Sequence, residues 1–228
     1  MVLIADKSLY DIWIRLDIDI SSLENIEEKL GTILATNRTT DVVLKRIRRI
    51  RNMTSPKLMV WNAKVRKDNA EYLKILGKTP YDLSAIVADI ESETNLMLRV
   101  LHKLDQGASL DDVDLIANAR WIRQNTKFEP IIVTDDRDLL TCGHSLSSFF
   151  GLALGFLSSF EILRLVKLNK PFIRYCSYYA LSTDLGNLDD AWSRQTLERE
   201  VSGVMKKARI ACHPNLRRND SILRIIRS

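Results

Sequence analysis

The sequence predicts an α/β protein: a central, mostly parallel sheet between two layers of helices, making three layers (α/β/α), with a helical, basic extension at the C-terminus. Three observations predict it. Short apolar runs alternate along the chain with longer stretches of helical periodicity, the order that builds a parallel sheet. The run IIVT at 131–134 is rich in β-branched residues and shows no polar alternation, as in a strand buried on both faces. Beyond about Lys167 the alternation ends in an irregular aromatic stretch and then a basic one, dividing the chain into a domain over 1–167 and an extension over 168–228.

The first apolar run, MVLIA, ends at Asp6 and reads as a strand. From Lys7 to Leu34, Leu9, Ile12, Trp13, Leu16, Leu23, Ile26, Leu30, Ile33 and Leu34 recur at helical spacing, in two pieces separated by a cap at Ser21-Ser22. Thr39-Thr40-Asp41 opens a short helix with Val43, Ile47 and Ile50 on one side and arginines on the other, stopped by Ser55-Pro56. KLMVW at 57–61 reads as the second strand, and 63–76 as a helix with Val65, Tyr72, Leu73 and Leu76 inward. A long helical stretch then runs to Leu104 and breaks at Gln106-Gly107. The next helix, capped by Ser109 or Asp111, turns Val113, Ile116, Ala117, Ala119 and Ile122 inward. After IIVT come a helix over Leu139–Phe150, a closing strand in GLALGF at 151–156 and a capped helix from Ser158. In the extension, Leu197, Val201, Val204, Met205 and Ala208 share one helical stripe, which would pack on the domain, on a second copy or on another protein.

The 228 residues are 46% hydrophobic and 28% charged, with a mean hydropathy of −0.10, an ordinary globular composition. The longest apolar region, around 146–166, is broken by serines, glycines and Glu161, so no membrane span is expected. No basic-then-apolar leader opens the chain, and Cys142, Cys176 and Cys212 are odd in number and far apart. These features predict a cytoplasmic protein in a reducing environment. Cys142 and His144 have no second pair nearby to complete a zinc site. The net charge of +5 is unevenly spread: Lys45, Arg46, Arg48, Arg49, Arg51, Lys57, Lys64, Arg66 and Lys67 crowd one region, while acids dominate the first 36 residues. The segregation fits a face for a polyanion, or a solvated helix face paired with the acidic one.

The acidic residues point further. In an open parallel sheet, ligands bind beyond the carboxyl ends of the strands. Asp6 ends the first strand, and Asp135 and Asp136 follow IIVT, with Asp138 just beyond. Asp114 lies in the first turn of the helix over 111–123; Asp68 and Glu71 lie early in the helix after KLMVWN. Oxygen-only clusters of this kind suit Mg²⁺ or Mn²⁺ and not zinc. Each acid also has a plain structural reading. Asp114 would stabilise a helix N-terminus by about 0.3–1 kcal/mol, and Asp135 and Asp138 would shape a turn, with Asp138 facing Arg137. Trp13, Trp61, Trp121 and Trp192 sit on apolar stripes and read as core.

A family resemblance joins these pieces. LIADKSLYDIW resembles the opening of PIN-domain nucleases, a strand ending in Asp with a small hydroxyl residue two positions on, here Asp6 and Ser8. Asp114-Leu-Ile-Ala-Asn-Ala resembles the family's acidic helix, IIVTDDRDL its fourth strand and acidic turn, and GLALGFLSSFEILRLV its closing strand and helix. The resemblance covers roughly residues 1–167. It implies a PIN-like fold and a divalent-metal-dependent nuclease, most often an endoribonuclease on single-stranded RNA. Asp6, Asp114 and Asp136 are the implied catalytic residues, and Asp6, Asp68, Asp114, Asp136 and Asp138 the implied ligands of Mg²⁺ or Mn²⁺. Glu71 is a substitute for Asp68, and an alignment onto VVLKRI would instead put Arg46 in the acidic place. Arg46, Arg48, Arg49, Arg51, Arg217 and Arg218 would grip the nucleic acid backbone. The competing expectation is a PIN-like protein that binds RNA or the ribosome and has lost its chemistry; a toxin restrained by an antitoxin is a weaker third.

Overall fold

The computed structural model describes residues 1–15, 19–49, 55–152, 154–159 and 161–162. In chain order the elements are β1 (Val2–Ala5), α1 (Lys7–Arg15), α2 (Ile20–Leu30), β2 (Thr32–Leu34), α3 (Asn37–Ile47), α4 (Ser55–Leu76), α5 (Leu83–Lys103), α6 (Leu110–Asn125), β3 (Pro130–Val133), α7 (Arg137–Phe150) and β4 (Gly155–Leu157). The predicted extension, with Arg217 and Arg218, lies outside the described residues, as does Arg51. No described helix is long and apolar enough to cross a membrane.

The four strands form one all-parallel sheet in the order β2-β1-β3-β4. This bears out the α/β class and the mostly parallel sheet. β1 and β3 pair over Val2↔Pro130 to Ala5↔Val133, and every residue of both strands is buried, which explains the absence of alternation in VLIA and PIIV. The strand Val2–Ala5 is a strand where the sequence reading had one. The helix over 110–125 buries Val113, Ile116, Ala117, Ala119 and Ile122 as expected. Trp13, Trp61 and Trp121 are buried. Trp192 lies outside the described residues.

Two elements differ from the sequence reading, and they are coupled. KLMVW is not a strand: it is the first part of α4, with Met59 69% and Val60 48% exposed while Trp61 is buried, a helical rather than a strand pattern. Pro56 opens that helix instead of stopping the one before. In a first turn the missing proline N–H has no helical partner to lose. The second strand is Thr32–Leu34, which helical spacing from the sequence assigns to the tail of a helix. Gly31 makes the break: at φ +120° its N–H bonds Glu27 O at 3.0 Å, ending α2, and the chain turns straight into the sheet. The cap of α2 is Asp19, which accepts from Ser22 N at 2.7 Å, so Ser21-Ser22 marks the boundary without supplying the cap.

These shifts decide what reaches the carboxyl edge of the sheet. The helix that follows the second strand is α3, capped by Thr36, whose Oγ1 accepts from Thr39 N at 3.2 Å. The helix carrying Asp68 comes later and rests on the same region, Ala35 N bonding Asp68 O at 3.2 Å. Residues of α4 to α7 together with β1 and β3 make the main apolar core, including Val2, Ile4, Ile90, Met97, Ile116, Ile132 and Leu146.

Candidate nuclease site at the carboxyl edge

β1 and β3 end side by side, and a knot of hydroxyls ties their ends together. Asp6 Oδ2 accepts from Ser8 Oγ at 2.6 Å, Ser8 N at 3.1 Å and Thr134 Oγ1 at 3.0 Å. Thr134 Oγ1 in turn accepts from Asp136 N at 2.9 Å, and Ser8 Oγ accepts from Asp135 N at 3.1 Å. Asp6 is almost wholly buried. Burial raises its pKa above the usual carboxyl value, offset in part by Lys7, Ser8 and Thr134.

The three aspartates after β3 have three different surroundings. Asp135 is buried, its carboxylate taken by Ser159 N at 3.1 Å and by Ser159 Oγ, where it holds the chain leaving β4. Asp136 caps α7: Oδ1 accepts from Asp138 N at 2.9 Å, and Oδ2 lies 4.0 Å from Lys7 Nζ. Asp138 is exposed in the first turn of α7.

The first turn of α6 reaches the same place. Ser109 and Asp112 form a capping box. The second oxygen of Asp112, itself buried, receives the Lys7 ammonium at 3.0 Å. Lys7 thus joins residues from α1, α6 and α7. Burial works against its charge, yet Asp6, Asp112 and Asp136 together hold its pKa above the ordinary lysine value.

One turn further along, Asp114 opens onto a cleft of about 350 Å³ lined also by Arg38, Asp41 and Lys45 from α3, Tyr72 from α4, Glu91 from α5, and Asp111 and Asn118. Asn118 fixes Asp114, donating to its Oδ2 at 3.2 Å and its backbone O at 2.7 Å, while the Tyr72 hydroxyl donates to Asn118 Oδ1 at 2.5 Å. Arg38 lies between Asp114, at 3.7 Å, and Asp111, at 3.5 Å. Burial pushes the Asp114 carboxyl up to about 6, lowered by Arg38 and raised again by Asp111 and Glu91.

Asp68 is placed otherwise. It is 1% exposed and does not line the cleft; Oδ1 accepts from Lys64 at 2.6 Å and Oδ2 from the Tyr10 hydroxyl at 2.6 Å, with Glu27 also 3.0 Å from Lys64. Glu71 pairs with Lys74 at 3.4 Å. The acid that the helix after the second strand does bring to the cleft is Asp41, which the sequence does not single out once the second strand is expected at KLMVW. Gly31 followed by the β-branched Thr32 and Ile33, and a Thr36 cap, was the signal that would have found it. Among the proposed backbone-gripping residues, Arg46 is bonded to Asp11, whereas Arg48 and Arg49 are exposed at the end of α3.

The donor set at this edge is carboxylate throughout, which fits Mg²⁺ or Mn²⁺ in kind. In the arrangement described, the acids are drawn to Lys7 and Arg38, and among the described residues no three carboxylate, imidazole or thiol groups form a ready ion cage. Compared with known proteins, the chain matches no family model, no curated protein and no solved structure.

Proposed function

We propose that this chain is a PIN-like nuclease, with a three-layer α/β/α domain, that hydrolyses phosphodiester bonds in single-stranded RNA with Mg²⁺ or Mn²⁺ as cofactor. One observation carries the reading: Asp6 and Asp136, at the ends of neighbouring parallel strands, meet Asp112 in the first turn of α6 through Lys7, and the same helix puts Asp111 and Asp114 on an open cleft that Asp6 and Asp136 do not themselves line. Asp6, Asp114 and Asp136 would hold the ion, with Asp41 a better candidate than Asp68 for the remaining acid and Asp138 at the rim. The ion supplies Lewis acidity at the phosphate. Asp114 opens onto the cleft, where Arg38 faces its carboxylate in the ion-free protein. Lys45 at the cleft and Arg48 and Arg49, three and four residues on and just past the end of α3, offer a basic track for the flanking backbone. The buried free thiol of Cys142 suits the reducing cytoplasm in which we place the protein.

A second reading, RNA binding without cleavage, is favoured by the pairing of these acids with Lys7 and Arg38. End-labelled single-stranded RNA incubated with the purified protein and Mn²⁺ separates the two. Cleavage abolished by Asp136→Asn supports the nuclease. Asparagine is a good helix cap, so α7 should survive the change. Cleavage that persists in EDTA and in Asp136→Asn overturns the metal-dependent site, and retention of intact RNA selects the binding protein.

A further inference from the structure

The cleft between α3 and α5 combines apolar walls with an uncommitted pair of opposite charges. Val42 from α3 and Val87 and Ile90 from α5 supply the apolar surface, and Arg38 and Asp111 the charges. Its volume of about 350 Å³ lies at the low end of ligand sites, roughly 300–1,000 Å³, and suits one flat ring system. The Arg38 guanidinium lies 3.5 Å from Asp111 Oδ1 and 3.7 Å from Asp114 Oδ1, beyond the ordinary length of an N–H···O hydrogen bond. Among the described residues neither Arg38 nor Asp111 makes a side-chain hydrogen bond, so the guanidinium fork and both Asp111 oxygens are open to a ligand. Asn118, by contrast, is committed at both ends: its amide donates to Asp114 and its oxygen accepts from Tyr72.

That pattern of open and closed partners discriminates among nucleobases. Guanine carries two neighbouring donors, N1–H and the N2 amine, beside acceptors at O6 and N7. A carboxylate takes the donors as a pair, and a guanidinium meets the acceptors. Adenine is read best by a free Asn or Gln amide, which Asn118 does not offer. Cytosine and uracil each present a carboxylate with one donor group and leave part of Asp111 unmet. We infer that this cleft is a guanine subsite, in which Asp111 accepts from N1–H and the N2 amine, Arg38 donates to O6, and Val42, Val87 and Ile90 cover the ring. The subsite presupposes the RNA reading above and gives it a base preference. The Ser109–Asp112 capping box fixes the turn that carries Asp111. Lys45, exposed at the cleft, leads to Arg48 and Arg49, which hold the flanking phosphates outside while the base turns in.

The test is fluorescence anisotropy of labelled RNA heptamers, UUUGUUU against UUUAUUU, UUUCUUU and UUUUUUU, with the full chain in EDTA so that no metal-dependent cleavage intervenes. Wild type should bind the guanine heptamer at least fivefold more tightly than each of the others. Asp111→Asn, which leaves the capping box intact, should bring that ratio to within twofold of one. Equal affinities in wild type, a preference for another base, or a fivefold preference that survives Asp111→Asn overturns the inference. Should the variant fail to fold, the wild-type ratio alone decides. Free GMP, which lacks the flanking phosphates, should bind at least tenfold more weakly than UUUGUUU; GMP binding as tightly as the heptamer overturns the assignment to RNA. The two proposals fail separately. Absence of cleavage with Mn²⁺ removes the nuclease reading and leaves the guanine preference standing, whereas cleavage alongside equal affinities removes only the subsite.

Discussion

Asp68 is the acid whose surroundings allow the sharpest thermodynamic test. It is 1% exposed between Lys64 and the Tyr10 hydroxyl, and burial outweighs both partners, pushing its carboxyl up from 3.8 to about 6. The folded protein therefore holds this proton more tightly than the unfolded chain does. Unfolding releases it between about pH 4 and pH 6, so stability falls as pH rises through that window and levels off above it. At about 1.4 kcal/mol for each tenfold change in proton affinity, the full effect is on the order of 3 kcal/mol. Asp68→Asn removes the titration and keeps one oxygen for Lys64, its amide NH2 turning to the Tyr10 hydroxyl, which can accept. Urea unfolding followed by tryptophan fluorescence, from pH 4 to pH 7.5, gives one curve of stability against pH for each protein. Other carboxylates act on both, so the difference between the curves is the quantity to read. Wild type should lose about 2–3 kcal/mol relative to Asp68→Asn between pH 4 and pH 7. Curves parallel to within about 0.5 kcal/mol, or a wild type that gains on the variant as pH rises, would refute the reasoning.

Lys64→Met leaves Asp68 and Glu27 facing each other with no cation between them, and should cost about 3–5 kcal/mol by the same urea assay. Gly31→Ala is strained twice over, by φ +120° and by a Cβ that would lie 2.5 Å from Met1 O; it should cost more than about 1 kcal/mol and lower the thermal midpoint. If the basic track along α3 carries RNA, the double change Lys45→Glu and Arg49→Glu should weaken single-strand binding and reduce the slope of log K against log salt by about 1.4, the share of two phosphate contacts.

The parts of the fold that were legible in the sequence are those where one physical preference acts alone. VLIA and PIIV are buried on both faces, so their composition speaks directly, and every residue of the stripe predicted for α6 is buried, with Asp112, Leu115, Asn118 and Trp121 buried in addition. Where two preferences compete, local reading failed. KLMVW is apolar enough for a strand, but Pro56 presets a first helical turn, and its exposed Met59 and Val60 break the apolar pattern only after the fold is known. Thr32–Leu34 is three residues long, too short for a period, and its preceding apolar residues supply a helical rhythm that runs through it until Gly31 is weighed. One misplaced strand then moved the second acid from Asp41, in the cleft, to Asp68, in the buried network.

The same distinction between local and assembled charge governs the run of aspartates after β3. Read along the chain, Asp135, Asp136 and Asp138 repel one another and ask for a shared remedy. In the fold they face three ways: Asp135 toward Ser159, Asp136 toward its own helix N-terminus and Lys7, Asp138 into solvent. Helix N-termini and hydroxyls offset most of that charge locally. What they leave is the crowding of Asp136 with Asp6 and Asp112, acids with no sequence proximity at all, and there a single ammonium stands. Each of these acids already has a local partner, Asp6 in Ser8, Asp112 in Ser109 and Asp136 in Asp138 N, so what Lys7 meets is the remaining charge that only the fold, and not the local sequence, brings together.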